Sequence, residues 1–210
     1  MRLLLVAFAS ALLALATAGC VTTTPAHDLS VESVRALRVE RVAVTVDPGA
    51  RITWPTLAQQ LIDARKARTG VEDGDSSAAI AEMKSAVLAR LNEKARTVLE
   101  PSLKSTLSGT KPVTARVTVH SLFIPNTAGV MVSTLFAGPT APGAQSGMGV
   151  SVDFVDARTG APVLSYPKTG VITQGGYKIN MGTSGLISHD PVERMFADLD
   201  GRLRSWLLKS

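Results

Sequence analysis

Cysteine, histidine and aromatic residues are scarce in this chain of 210 residues, which has one cysteine, three histidines and 4% aromatics. A single cysteine excludes an intramolecular disulfide and any metal cluster built on cysteines. His27, His120 and His189 show neither His-x-x-x-His nor His-Glu-x-x-His spacing, so neither a metal ion nor a cofactor is expected. The chain also lacks the run of ~20 apolar residues that a membrane-crossing helix needs. It has no Gly-x-Ser-x-Gly elbow, phosphate loop or dinucleotide fingerprint. Disorder is excluded for most of its length, because 45% of residues are apolar and mean hydropathy is +0.20. That is enough to bury the core of one domain.

The apolar residues are unevenly placed, and the first concentration is N-terminal. Residues 1–19 read MRLLLVAFASALLALATAG: Arg2 as the only charge, an apolar run from Leu3 to Ala16, then small residues. A positive start, a short apolar run and a small-residue exit make an export signal. The exit, Thr17-Ala18-Gly19, is followed directly by Cys20, the only cysteine. This junction resembles the lipobox of bacterial lipoproteins, although Thr17 stands where that family usually has Leu, Val or Ile. The resemblance implies cleavage before Cys20 and a diacylglyceryl group on its sulfur, with further acylation. Each acyl methylene buried in a membrane contributes ~0.8 kcal/mol, so a multiply acylated cysteine anchors durably without a spanning helix. In that family Asp after the cysteine marks inner-membrane retention; Val21 stands here, which implies the outer membrane, facing the periplasm. Residues 20–33 are Thr/Ser-rich, contain Pro25 and lack periodicity, so they read as a lipidated tether.

Residues 34–210 read as a single α+β periplasmic domain. Val42, Val44 and Val46 alternate as a strand that ends at Asp47-Pro48-Gly49, with Leu37 and Val39 in the opposite phase, so a bulge or a turn is expected near Glu40-Arg41. Pro55 opens a helix that closes near Gly70. The longest helix carries Ile80, Met83, Val87, Leu91, Ala95 and Val98 as one apolar stripe, and Pro101 is expected to end or kink it. Val113, Ala115, Val117, Val119 and Phe123 give the clearest strand, and Val150, Val152 and Phe154 repeat the pattern. Asp156 to Gly160 is a hairpin turn, with return strands at Val163 to Tyr166 and Gly170 to Gln174. Asp190-Pro191-Val192-Glu193 opens a terminal amphipathic helix through Leu207. Strands segregated from helices predict a two-layer sandwich, a mostly antiparallel sheet with helices packed on one face. With the lipobox and the hairpin from Val152 to Tyr166, this order resembles small envelope accessory lipoproteins. Examples are the periplasmic domain of the curli secretion lipoprotein and the lipoprotein activators of penicillin-binding proteins. The resemblance is one of pattern and carries over no functional residues.

Ser108-Gly109-Thr110-Lys111 and Lys168-Thr169-Gly170 match two motifs of serine penicillin-binding enzymes. Gly109 and Pro112 place the first in a helix-to-strand turn rather than at a helix start, and no Ser-Asp-Asn is present, so it reads as a turn. The net charge of +5 gathers at Arg65, Lys66 and Arg68 and along the last helix at Arg202, Arg204 and Lys209. Export disfavours nucleic acid as their partner, leaving solvated faces or anionic envelope surfaces. The stretch from Val117 to Val152 contains no Asp, Glu, Lys or Arg. Within it, Val130, Val132 and Phe136 are either part of a buried strand and surface loop, or a candidate contact surface for a membrane, an envelope protein or a second copy. The expected function is a non-catalytic, membrane-anchored accessory or assembly module of the envelope. The alternatives are a subunit of an oligomeric outer-membrane secretion pore and, with little residue support, a cell-wall hydrolase.

Overall fold

In the computed structural model, which describes residues 26–70, 76–126, 145–174, 177–179, 186–188 and 190–208, strands and helices separate into two layers. The chain runs through α1 (Val31–Arg35), β1 (Leu37–Thr53), α2 (Pro55–Thr69), α3 (Ser77–Lys94), a π-helical turn (Ala95–Leu99) and α4 (Glu100–Thr106). It continues through β2 (Lys111–Phe123), β3 (Gln145–Asp156), β4 (Pro162–Gln174), the short pair β5 (Tyr177–Ile179) and β6 (Leu186–Ser188), and α5 (Pro191–Leu207). The main sheet has the order β1-β2-β3-β4, and the fold is α+β. Two of its ladders are antiparallel, but β1 and β2 are parallel. Parallel neighbours need a long crossover, and α2, α3 and α4 supply it.

One face of the sheet is packed. Val117, Val150, Val152 and Phe154 point toward Val87, Leu91, Leu99 and Leu103 of the crossover and Met195, Phe196, Leu199 and Leu203 of α5, and all are fully buried. Each such side chain contributes roughly 1.5–3 kcal/mol through removal from water. The opposite face carries Thr45, Arg116, Thr118, His120, Ser151, Asp153 and Ser165, none of them buried.

Four local features differ from the sequence pattern, each for a physical reason. Pro101 does not end the helix. It cannot donate to the carbonyl four residues back, and the wide turn over Ala95–Leu99 just upstream takes up that mismatch, so helical structure continues to Thr106. β1 does not stop at Asp47-Pro48-Gly49: Asp47 Oδ1 accepts the Gly49 N–H at 2.8 Å, the strand bulges, and Arg51 to Thr53 resume pairing beside Ser121 to Phe123. The bulge expected near Glu40-Arg41 is present as a register shift between Val39 and Arg41. A further bulge between Val119 and Ser121 shifts the phase of β2, so Leu122 and Ile124 enter the core while Phe123 is left 44% exposed. The two return strands expected after the hairpin are one strand, β4, interrupted by a bulge at Pro167 and Lys168.

The ends of the body are tied down. His27 Nε2 lies 3.4 Å from the Leu207 carbonyl, and its ring stands edge-on to Trp206 at 5.0 Å, so the chain already contacts α5 within the stretch read as tether. Trp206 in turn meets Tyr166 of β4 edge-on at 5.1 Å. Asp190 caps α5 by accepting the Val192 N–H at 2.9 Å and pairs with Arg90 and Lys94 of α3.

Candidate functional site

Among the described residues, the face of the sheet opposite the helices holds an organised polar cluster. His120 projects from β2 opposite the excursion of β1, with Nδ1 3.0 Å from Asp47 Oδ2 and Nε2 2.9 Å from Ser151 Oγ on β3. A carboxylate only accepts, so Nδ1–H donates to Asp47, and Nε2 and the Ser151 hydroxyl share the second hydrogen bond. The Gly49 N–H and then the His120 hydrogen bond hold the Asp47 carboxyl below the usual carboxylate range. Acid, imidazole and hydroxyl thus stand in the order of a nucleophilic triad. Acyl transfer also requires N–H donors aimed at the developing oxyanion. Ser151, by contrast, lies inside a strand bonded on one side to β2 and on the other to β4, rather than on a sharp turn that frees such donors. The two hydrogen bonds join β1, β2 and β3 as a clasp across three strands.

Beside the clasp is a shallow depression of about 310 Å³. Gly147, Gly149 and Gly170 line it, with Arg51, Ser121 and the exposed Phe123 around them. A Cβ at Gly149 would stand 2.6 Å from Ser121 Oγ, an exposed hydroxyl that would have to turn aside.

The second concavity is a cleft of about 280 Å³ between α2, α3 and the resumed end of β1. Its walls are Ile52 of β1, Leu61 and Ile62 of α2, and Ile80 and Met83 of α3, with Arg65, Glu82 and Lys84 also lining it. Helix α2 buries no residue, and Ile80 is 51% exposed. Ile80, at the start of the stripe, is thus left largely outside the core, whereas Met83 lines the cleft and still packs, partly buried, against the core. Arg68 pairs with Glu82 at 2.9 Å, and Arg65 lies 4.0 Å from Glu82 while donating to Ser76 Oγ at 3.0 Å. Two cations of the basic cluster are thus held between α2 and α3. Arg202 and Arg204 are paired with Asp198 and Asp200 along α5.

Cys20, Val130, Val132, Phe136 and His189 lie outside the described residues. Ser108 stands in the connection between α4 and β2, bridged to Arg38, and Lys111 opens β2, so the Ser-x-x-Lys residues occupy a turn. Among the described residues no group of three or more His, Cys, Asp or Glu side chains is placed to hold a metal ion, and no helix is long and apolar enough to cross a membrane. The clasp was not visible in the sequence, because Asp47 and Ser151 lie 73 and 31 residues from His120. No protein-family model matches this chain, and no curated protein matches it.

Proposed function

We propose that this chain is a non-catalytic lipoprotein, anchored through Cys20 to the outer membrane and facing the periplasm, that serves as an accessory or assembly binding module of the bacterial cell envelope. The observation that carries the reading is the single cysteine placed directly after a short apolar run and a small-residue exit. The fold is consistent with such a role. The chain joins the body at His27, beside the C-terminal end of α5, so a tether from Cys20 attaches at that pole. Ala50 and Ile52 line one concavity and Arg51 and Thr53 the other, at the end of β1 away from that attachment.

Crosslinking in intact envelopes, followed by capture and mass spectrometry, tests the binding role. An envelope partner crosslinked to the wild type and lost when Val130, Val132 and Phe136 are changed to Ser in a folded variant supports a contact surface there. Absence of any crosslinked partner, together with turnover of peptidoglycan in a zymogram, contradicts the non-catalytic reading.

A further inference from the structure

We propose that the cleft between α2 and α3 binds one single-chain anionic amphiphile of the alkyl carboxylate class, with its tail between the helices and its carboxylate at Lys84. The proposal deepens the binding-module reading and rests on it for the source of the ligand, which an envelope supplies.

The first argument is the local failure to close. Core residues of α3 from Val87 onward are fully buried, whereas one and two turns earlier Ile80 and Met83 stop short of Leu61 and Ile62 and leave about 280 Å³ between them. Because α2 buries no residue and Ile80 is 51% exposed, this room is a cleft open to the surface rather than a void in the core. Here it is built by small residues, since Ala50, Ala58 and Ala79 occupy three wall positions where a larger side chain would fill the space. A methylene takes up about as much room as the ~30 Å³ share of a water molecule, so the cleft accommodates a chain of roughly nine carbons.

The second argument is charge. Glu82 is engaged by Arg68 and Arg65, while Lys84, exposed at the same rim, makes no ion pair among the described residues. An apolar slot with a cation at its mouth complements an apolar chain ended by an anion.

The third argument is position. His27 meets Trp206, Trp206 meets Tyr166, and Tyr166 is in register with Val152 and Val117, so the cleft at Ile52, paired with Leu122, stands five residues along β2 from the level where the tether joins, roughly 16 Å at ~3.3 Å per residue.

The test is a methyl NMR titration of the full-length lipidated protein in nanodiscs, labelled at isoleucine and methionine, with octanoate and decanoate as probes. Saturable shifts are expected at Ile62, Ile80 and Met83 and not at Met195 or Ile124. Affinity should rise about fourfold per added methylene until the cleft is full. Decanoate should bind more tightly than decanol or decyltrimethylammonium, and Lys84→Glu should reverse that preference. Ala58→Leu should abolish binding while preserving or raising the melting temperature, because it fills the space itself, and Ile80→Glu should abolish it at an exposed position. Unmoved cleft methyls at saturating decanoate would overturn the proposal, as would equal binding of all three head groups. Neither result depends on Cys20, so an unmodified cysteine would remove the envelope reading and leave the cleft result standing.

Discussion

Glu100 Oε2 accepts the main-chain N–H of Val42 at 3.0 Å. Asn92 Oδ1 does the same for Val44 at 3.3 Å. β1 is an edge strand, and these two N–H groups point away from β2, toward the crossover helices. An open edge invites pairing with another chain. Here two side chains satisfy part of it and fix the crossover against the sheet. Glu100→Ala should therefore destabilise the protein by ~1–3 kcal/mol in urea unfolding, because it orphans a part-buried N–H. Glu100→Gln keeps an acceptor and should cost less than half as much.

Stability should fall at acid pH for a reason traceable to named groups. Burial pushes the Glu100 carboxyl up, but Lys104 and the Val42 N–H outweigh it and leave the group below its ordinary value. Asp47, through the Gly49 N–H and His120, and Asp156, through the Thr159 and Arg158 N–H groups, are also depressed. A depressed carboxylate stabilises fully above its unfolded value, near ~4, and that stabilisation is lost as pH falls through the lower folded value. At the alkaline end, Lys94 is raised by its hydrogen bond to Glu193, so its contribution is complete below its unfolded value and lost as pH rises through the folded one, above ~10. Urea midpoints measured against pH should show both limbs, and Asp156→Asn should flatten the acid one.

Two glycines should respond oppositely to alanine. A Cβ at Gly109 would stand 2.3 Å from the Ala36 carbonyl carbon and oxygen, backbone atoms held by the Thr110 and Lys111 N–H groups. Gly109→Ala should therefore cost more than ~3 kcal/mol or prevent folding. At Gly170 nothing lies within 4 Å of the same position. Gly170→Ala should be neutral or stabilising by up to ~1 kcal/mol, through loss of unfolded-chain freedom. Thermal unfolding of the pair distinguishes these outcomes.

Asp190 has two separable roles. It caps α5 through Val192 and pairs with Lys94 at 3.3 Å and with Arg90. Asp190→Asn keeps the cap and loses the ion pairs, and should cost ~0.5–1 kcal/mol, diminishing with added salt. Asp190→Ala loses both and should cost ~1–2 kcal/mol more, the added part insensitive to salt.

Local signals in the sequence carried most of the architecture. The helix over Pro55–Thr69 ends on Gly70 at φ 70°, where a left-handed residue closes the last turn, and Asp190-Pro191 opens α5 as its capping chemistry implies. Failures came where the period was broken by a single inserted residue or an unlike partner. The bulge near His120 leaves no mark in an alternating pattern, so the alternation through Phe123 does not show that this ring faces out, and helical spacing does not say that the stripe of α3 is left exposed at Ile80. The parallel pairing of β1 with β2, and with it the clasp from Asp47 to Ser151, depends on register between distant strands. Composition and spacing carry no information about that register.

The most direct measurement of the central claim is the intact mass of the mature protein extracted from bacterial envelopes, with mapping of its N-terminal peptide. The account predicts a chain that begins at Cys20 and carries a diacylglyceryl group with further acylation, found in the outer-membrane fraction and released to the soluble fraction by Cys20→Ala. A soluble periplasmic product with an unmodified Cys20 thiol would contradict it.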